Sequence, residues 1–214
     1  MPEKLPVSNC VRNNSLTPQI ANIMLQKICG LLLIFTLGAA TVFAQDDLDP
    51  IRKKAIDSLA LEKVKDLSKY ISLIGDKQTP WKEANRVIDR ACELFMEGSK
   101  MGVSSLRSKK VNYYPVRKYF ERLMMLNYAK VTIAWYNIQY ISDLIKQPDG
   151  TYVGVITIFQ RFEGVTKEGL KYVDTTKKDI TVYVKRKEMQ IDGIPIGFWD
   201  VLLGDIRVKE TSPK

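Results

Sequence analysis

The sequence predicts an α+β fold, with N-terminal helices packed on one face of a curved, mainly antiparallel sheet. Two observations predict it. Up to residue 124, apolar residues recur at helical spacing in three runs, and each run opens beside a proline. After residue 130 the spacing shortens to two, the alternation of strands, with turn residues between the runs.

The first helix starts at Asp49-Pro50, a capping carboxylate followed by proline at the first helical position. Ile56, Ala60, Val64, Leu67, Ile71 and Ile74 form its apolar stripe, and Gly75 stops it. Thr79-Pro80 repeats the signal; Trp81, Ala84, Ile88, Ala91 and Phe95 follow, and Gly98 ends the run. Val103 to Val111 reads as a short irregular or extended piece. Tyr114-Pro115 opens the third helix, of about three turns, marked by Val116, Tyr119, Phe120 and Leu123.

In the first strand Val131, Ile133 and Trp135 share one face, whereas Tyr136, Ile138 and Tyr140 share the other. A change of apolar face within one strand predicts a bulge or a sharp bend. Pro148-Asp149-Gly150 is a turn. Tyr152 to Phe162 is a second strand, apolar on both faces. Thr175 to Lys187 is a third, with Ile180, Val182 and Val184 inward and Thr181, Tyr183, Lys185 and Lys187 outward. Phe198 to Val208 is the fourth. Residues 163–174 and 189–197 read as polar or Gly/Pro-containing loops, and no internal repeat is present.

Three stretches carry a resemblance. They are Tyr114-Pro-Val-Arg-Lys-Tyr-Phe-Glu-Arg-Leu, then Lys130-Val-Thr-Ile-Ala-Trp-Tyr, then Phe198-Trp-Asp-Val-Leu-Leu-Gly-Asp-Ile. Their order and aromatic-basic spacing resemble the nuclear transport factor 2-like (cystatin-like) superfamily, in particular its small exported bacterial members, over roughly residues 61–210. The resemblance implies a cone-shaped cavity; families of this kind include isomerases and cyclases that place an Asp or Tyr deep inside it. It also implies a strand hairpin between the second and third helices, which the sequence renders as short or irregular.

The N-terminal region reads as an address. Ile28 to Ala44 is uncharged, follows Lys27 and ends in Val42-Phe43-Ala44, the small-residue exit of a secretory signal. The alternative is a membrane anchor at the lower limit of spanning length. Cys29 opens the apolar run rather than closing it, so it does not fit a lipid-accepting cysteine. The segments are therefore 1–23, an extension ahead of a better initiator at Met24; 24–44, the signal peptide; 45–60, a leader and the start of the first helix; 61–210, the α+β domain; and 211–214, a tail. The expected location is periplasmic or secreted, after cleavage near Ala44.

The net charge is +9. Lys4, Arg12, Lys27 and Glu3 alone precede residue 45, so the basic surplus stays with the domain. Arg52-Lys53-Lys54, Lys109-Lys110, Lys177-Lys178 and Lys185-Arg186-Lys187 are scattered, which predicts a solvated basic surface rather than a polyanion site. No nucleic acid is expected. Weak association with anionic envelope surfaces and a homodimer stay open, as does an unidentified small molecule or protein as partner.

The chain has no histidine, which excludes Ser-His-Asp and Cys-His hydrolysis and His-ligated zinc. Cys92, alone after residue 44, reads as a small buried hydrophobe. No Gly-x-Gly-x-x-Gly, Walker A or EF-hand pattern occurs. Carboxylate and tyrosine chemistry remains. Asp200 and Asp205 have opposite strand parity, so at most one faces a cavity; Asp205 shares parity with Trp199, Val201 and Leu203 and is the stronger candidate. The bland alternative is that both are exposed or paired with lysines such as Lys185 and Lys187. Trp81, Tyr119, Phe120, Trp135, Tyr136 and Trp199 sit at core periodicities. Trp135, Gln160, Trp199 and Asp205 are the candidate pocket lining. No catalytic residue, cofactor or metal ligand is assigned. The function expected from the sequence is an exported non-catalytic binding or interaction domain. The alternatives are a cavity enzyme using an Asp/Tyr acid–base group, of isomerase or cyclase type, and a basic envelope-associated adaptor.

Overall fold

The computed structural model describes residues 48–213 except Ile141. The signal-peptide and extension readings thus lie outside the described residues. Three helices precede or interrupt seven strands: α1 (Pro50–Gly75), α2 (Trp81–Glu93), β1 (Lys100–Ser105), β2 (Ser108–Pro115), α3 (Val116–Met124), β3 (Lys130–Tyr140), β4 (Ile145–Lys146), β5 (Tyr152–Val165), β6 (Lys171–Ile191) and β7 (Ile194–Ser212). The fold is α+β, helices on a curved mixed sheet, as the periodicities predict.

The capping signal of α1 works as read: Asp49 Oδ1 accepts from the N–H groups of Ile51 and Arg52, both at 2.9 Å. Its stripe from Ile56 to Ile74 is buried. The second signal works differently, since Pro80 occupies the cap position of α2 and no side chain caps it. Trp81 departs from the expected stripe and is 60% exposed, because the buried face of α2 runs through Ala84, Val87, Ile88 and Ala91. Cys92 is half-buried, packed against the core.

The sheet order is β2-β1-β7-β6-β5-β3, with β4 on β5. β3, β5, β6 and β7 are the expected antiparallel meander. Residues 103–111, read as short or irregular, belong to a hairpin, β1–β2, with a register shift between Val103 and Ser105; it joins β7 in parallel register at Met101 and Ile206. Its apolar alternation is weak because side chains of β1 and β2 are largely left uncovered by helix, so hydrophobic patterning could not announce it. The hairpin between the second and third helices is therefore present.

Both presumed loops shorten to turns. β5 and β6 run on to Val165 and from Lys171, and the 189–197 stretch is the end of a β6–β7 ribbon. Its two-residue turn has Asp192 and Gly193 at φ 51° and 80°, the backbone such hairpins require. Met189, Ile191, Ile194, Ile196 and Phe198 share one exposed face of that ribbon.

The face switch in β3 is a bulge. Register shifts between Tyr136 and Gln139, with Asn137 at φ 49°. Tyr136 consequently leaves the core and stacks on Phe159 over the helix-free face, centroids 5.8 Å apart.

α1 lies on one half of the inner sheet face. Its Val64, Leu67 and Ile71 join Ile156, Ile158, Ile180, Val182 and Val184 in one core. α3 has nine residues and spans only about 13 Å. It cannot close over the remaining length of β6, and there the core gives way to a cavity.

Candidate functional site

The cavity measures about 340 Å³. Its roof comes from α3 (Tyr119, Arg122, Leu123) and its side wall from β1, while β5 and β6 form the floor. The inner face of β6 changes character along its length. Ile180, Val182 and Val184 face α1, whereas Lys178, Thr176 and Asp174, at the same parity, face the cavity.

Lys178 is 2% exposed. The Lys177-Lys178 doublet, expected on a solvated surface, is therefore split: Lys177 lies over Phe159 on the outer face at 5.9 Å, and Lys178 is buried inside. Neighbours on a strand point to opposite faces, so one lysine of such a doublet must turn inward once that face is covered. Lys178 Nζ donates to Gln160 Oε1 at 3.2 Å and stands over the Tyr119 ring at 5.9 Å. Burial disfavours its ammonium form, and the pKa falls to about 8 even though Asp174 pulls it upward.

Asp174 is 4% exposed. Its Oδ2 accepts from Tyr172 Oη at 2.6 Å, and Tyr172 Oη accepts from the Leu106 N–H at 3.0 Å. Desolvation raises the carboxyl above its ordinary value, outweighing the Tyr172 hydrogen bond and the Lys178 charge. Burial, then the Asp174 hydrogen bond, pushes the Tyr172 phenol up to about 12. Tyr119 is raised by burial as well, so it remains a phenol and a hydrogen-bond donor.

Apolar walls complete the chamber. Tyr128 meets Phe162 edge-on at 5.8 Å, and Phe162 meets Tyr172 likewise at 5.9 Å. Arg122 lies over the Tyr114 ring at 4.5 Å, which holds its charge near the roof. On the β1 side Ser104 and Thr211 share a hydroxyl hydrogen bond.

Of the sequence-predicted lining, Gln160 is in the cavity wall. Trp135 sits behind it and donates Nε1–H to Gln160 Oε1 at 3.1 Å. Trp199 is elsewhere, edge-on to Tyr152 at 5.7 Å and paired with Arg186, far up β6 from Asp174. Asp205 is also elsewhere. Its side chain is 40% exposed, accepts from the Lys100 N–H at 3.0 Å and lies 3.6 Å from Arg207. The parity argument fails there because Leu203 and Ile206 oppose Val182 and Ile180, three residues of β7 against two of β6. That bulge turns Asp205 outward. Asp200 pairs with Lys187 at 2.6 Å. Among the described residues no cluster of three or more Cys, Asp or Glu is placed to hold a metal ion.

No family model matches the chain, and no curated protein matches it. Two solved structures align with it. One is a putative scytalone dehydratase from Novosphingobium aromaticivorans DSM 12444, at 11% identity and TM-score 0.38, covering 75% of this chain and 89% of its own. The other is a hexachlorocyclohexane dehydrochlorinase (LinA) type 2, also at 11% and 0.38, covering 75% and 93%. Both are named as enzymes, against the expectation of a non-catalytic binding module for this chain. The sequence reading looked on β7 for an inward carboxylate, whereas the inward ionisable groups are Asp174 and Lys178 on β6.

Proposed function

We propose that the domain is a cavity enzyme that moves a proton within a small, largely apolar substrate, an isomerisation or elimination rather than a hydrolysis. One observation carries this reading. A buried amine, Lys178, and a buried carboxyl, Asp174, face the same chamber and form no ion pair with each other among the described residues. Buried charges normally neutralise each other or are absent. Two kept apart, each shifted toward its neutral form, make an acid–base pair. At pH 7 about a tenth of Lys178 is free amine, against well under one part in a thousand for an ordinary lysine. The amine accepts a proton from carbon; the Tyr119 phenol, or the protonated fraction of Asp174 that burial enlarges, donates to a developing oxygen anion. A volume of about 340 Å³ suits a molecule of one or two rings.

Deuterium uptake at the α-carbon of small ketones, such as cyclohexanone and 2-tetralone, tests the proposal. The full chain should accelerate uptake of at least one of them in heavy water. Asp174→Asn and Lys178→Met should each reduce the rate roughly 100-fold or more. Uptake no faster than in buffer across a panel that includes bicyclic ketones would sink the reading.

Export to the periplasm or beyond belongs with this proposal, supported by the charged start, apolar middle and small-residue exit before Gln45. Mass spectrometry of the exported protein should find Gln45 at its N-terminus. An intact Ile28–Ala44 segment in a membrane fraction would remove that part.

A further inference from the structure

We infer that Lys178 is an imine-forming nucleophile, and that the chamber takes small, largely apolar aldehydes or ketones. The inference rests on the acid–base reading of this cavity and narrows it to carbonyl substrates.

The geometry leaves the amine available. Among the described residues, hydrogen bonding at Nζ is confined to Gln160 Oε1 at 3.2 Å, so an incoming carbonyl carbon meets no carboxylate bonded to the nitrogen. Gln160 Oε1 is itself tied to Trp135 Nε1 at 3.1 Å, which fixes where the amine sits. The Tyr119 ring flanks Nζ at 5.9 Å, and Phe162, Leu123 and Ile133 keep the surroundings apolar. An amine desolvated in this way is nucleophilic near neutral pH. The charged and titratable groups that share the chamber with it are Asp174 and Tyr172 on its own strand, Tyr119 and Arg122 on α3, Arg107 between β1 and β2, Tyr114 on β2 and Tyr128 ahead of β3, with Gln160 on the floor. Asp174 supports the ammonium form and burial opposes it, with burial dominant.

The chemistry balances with the groups present. The Nζ lone pair forms a C–N bond as the carbonyl π pair moves to oxygen, which takes a proton from Asp174 in its carboxylic acid form, the form that burial favours. Nitrogen then returns a proton to the carboxylate. Asp174 next protonates the carbinolamine hydroxyl, which leaves as water, and the nitrogen lone pair forms the C=N bond of the iminium. That cation acidifies the neighbouring C–H, and the same carboxylate accepts the proton. Water-poor walls slow the reverse hydrolysis.

The test is reductive trapping on the full chain with benzaldehyde and sodium cyanoborohydride at pH 7, followed by peptide mass mapping. Lys178 should be benzylated at least about 10-fold faster than Lys177, its outward neighbour, because burial disfavours the ammonium form of Lys178. Denaturant should abolish the difference. Lys178→Arg keeps the charge and supplies no nucleophile; that folded variant, checked by circular dichroism, should show no fast-labelling site. Labelling of Lys178 no faster than Lys177 in the native protein overturns the inference. If ketone α-exchange persists in that case, the proton-transfer reading survives with Lys178 as a simple base; if exchange is absent too, both fall.

Discussion

Lys178 and Asp174 lie four residues apart on one strand, line one cavity and, among the described residues, form no ion pair with each other. At about 3.3 Å per residue their Cα atoms are roughly 13 Å apart. Each is satisfied by a neutral partner instead, Gln160 for the amine and Tyr172 for the carboxyl. A stability-driven strand would place apolar residues at both positions, as β6 does from Ile180 to Val184.

Lys178→Met should stabilise the domain at pH 7 by about 1–3 kcal/mol while abolishing activity, since removing a buried, unpaired charge relieves its desolvation. The unfolded chain keeps this ammonium up to about its ordinary value of 10.5, the folded one only to about 8. Between those values the unfolded state binds more protons, so wild-type stability gains with rising pH. The advantage of the variant should shrink from pH 8 toward pH 10 in denaturant titrations. A variant less stable than wild type at pH 7 would contradict the burial argument.

Asp174→Asn should lower the Lys178 pKa further below about 8, because it removes the charge that supports the ammonium. Nitrogen-15 NMR of labelled lysine reads this directly. The same change alters the acid limb. The Asp174 carboxyl is raised when folded, so its contribution is fully present below 3.8 and is lost as pH climbs through its folded value. The Asn variant, lacking that loss, should gain on wild type as pH rises from 3 toward neutrality.

Gln160→Leu should cost about 1–3 kcal/mol, since it strands the part-buried Trp135 N–H and removes the fixed acceptor of the buried Lys178. Trp135 emission should shift along with the loss. Gln160→Glu, by contrast, adds a carboxylate beside Nζ and should raise the Lys178 pKa, closing the window of free amine at pH 7.

Gly164→Ala should disturb the cavity from behind. A Cβ there would stand 2.7 Å from Tyr128 Cε1 and 2.8 Å from Cδ1, so the ring must move. Tyr128 walls the chamber and packs edge-on against Phe162. The expected result is a loss of about 1–3 kcal/mol and weaker ligand binding, measured by thermal unfolding and calorimetry.

The sequence alone determined the helices, the meander and the break in β3, because each carries a local periodicity: the stripe from Ile56 to Ile74, the alternation at Ile180 to Val184, the change of face at Trp135–Tyr136. It also held the signal for Lys178, since inward parity extends from Ile180 back through residues 178, 176 and 174. That signal is readable only once something is known to cover the face. Tertiary structure decided the rest. The β1–β2 hairpin owes its place to pairing with β7 rather than to any buried face of its own. The bulge after Leu203 reversed the parity of Asp205, and no local pattern marks it. The short reach of α3 decided which inward residues meet a partner helix and which meet a cavity. Strand parity is a property of the chain, whereas cover is a property of what packs against it, and the buried ionisable pair of β6 lies where the cover ends.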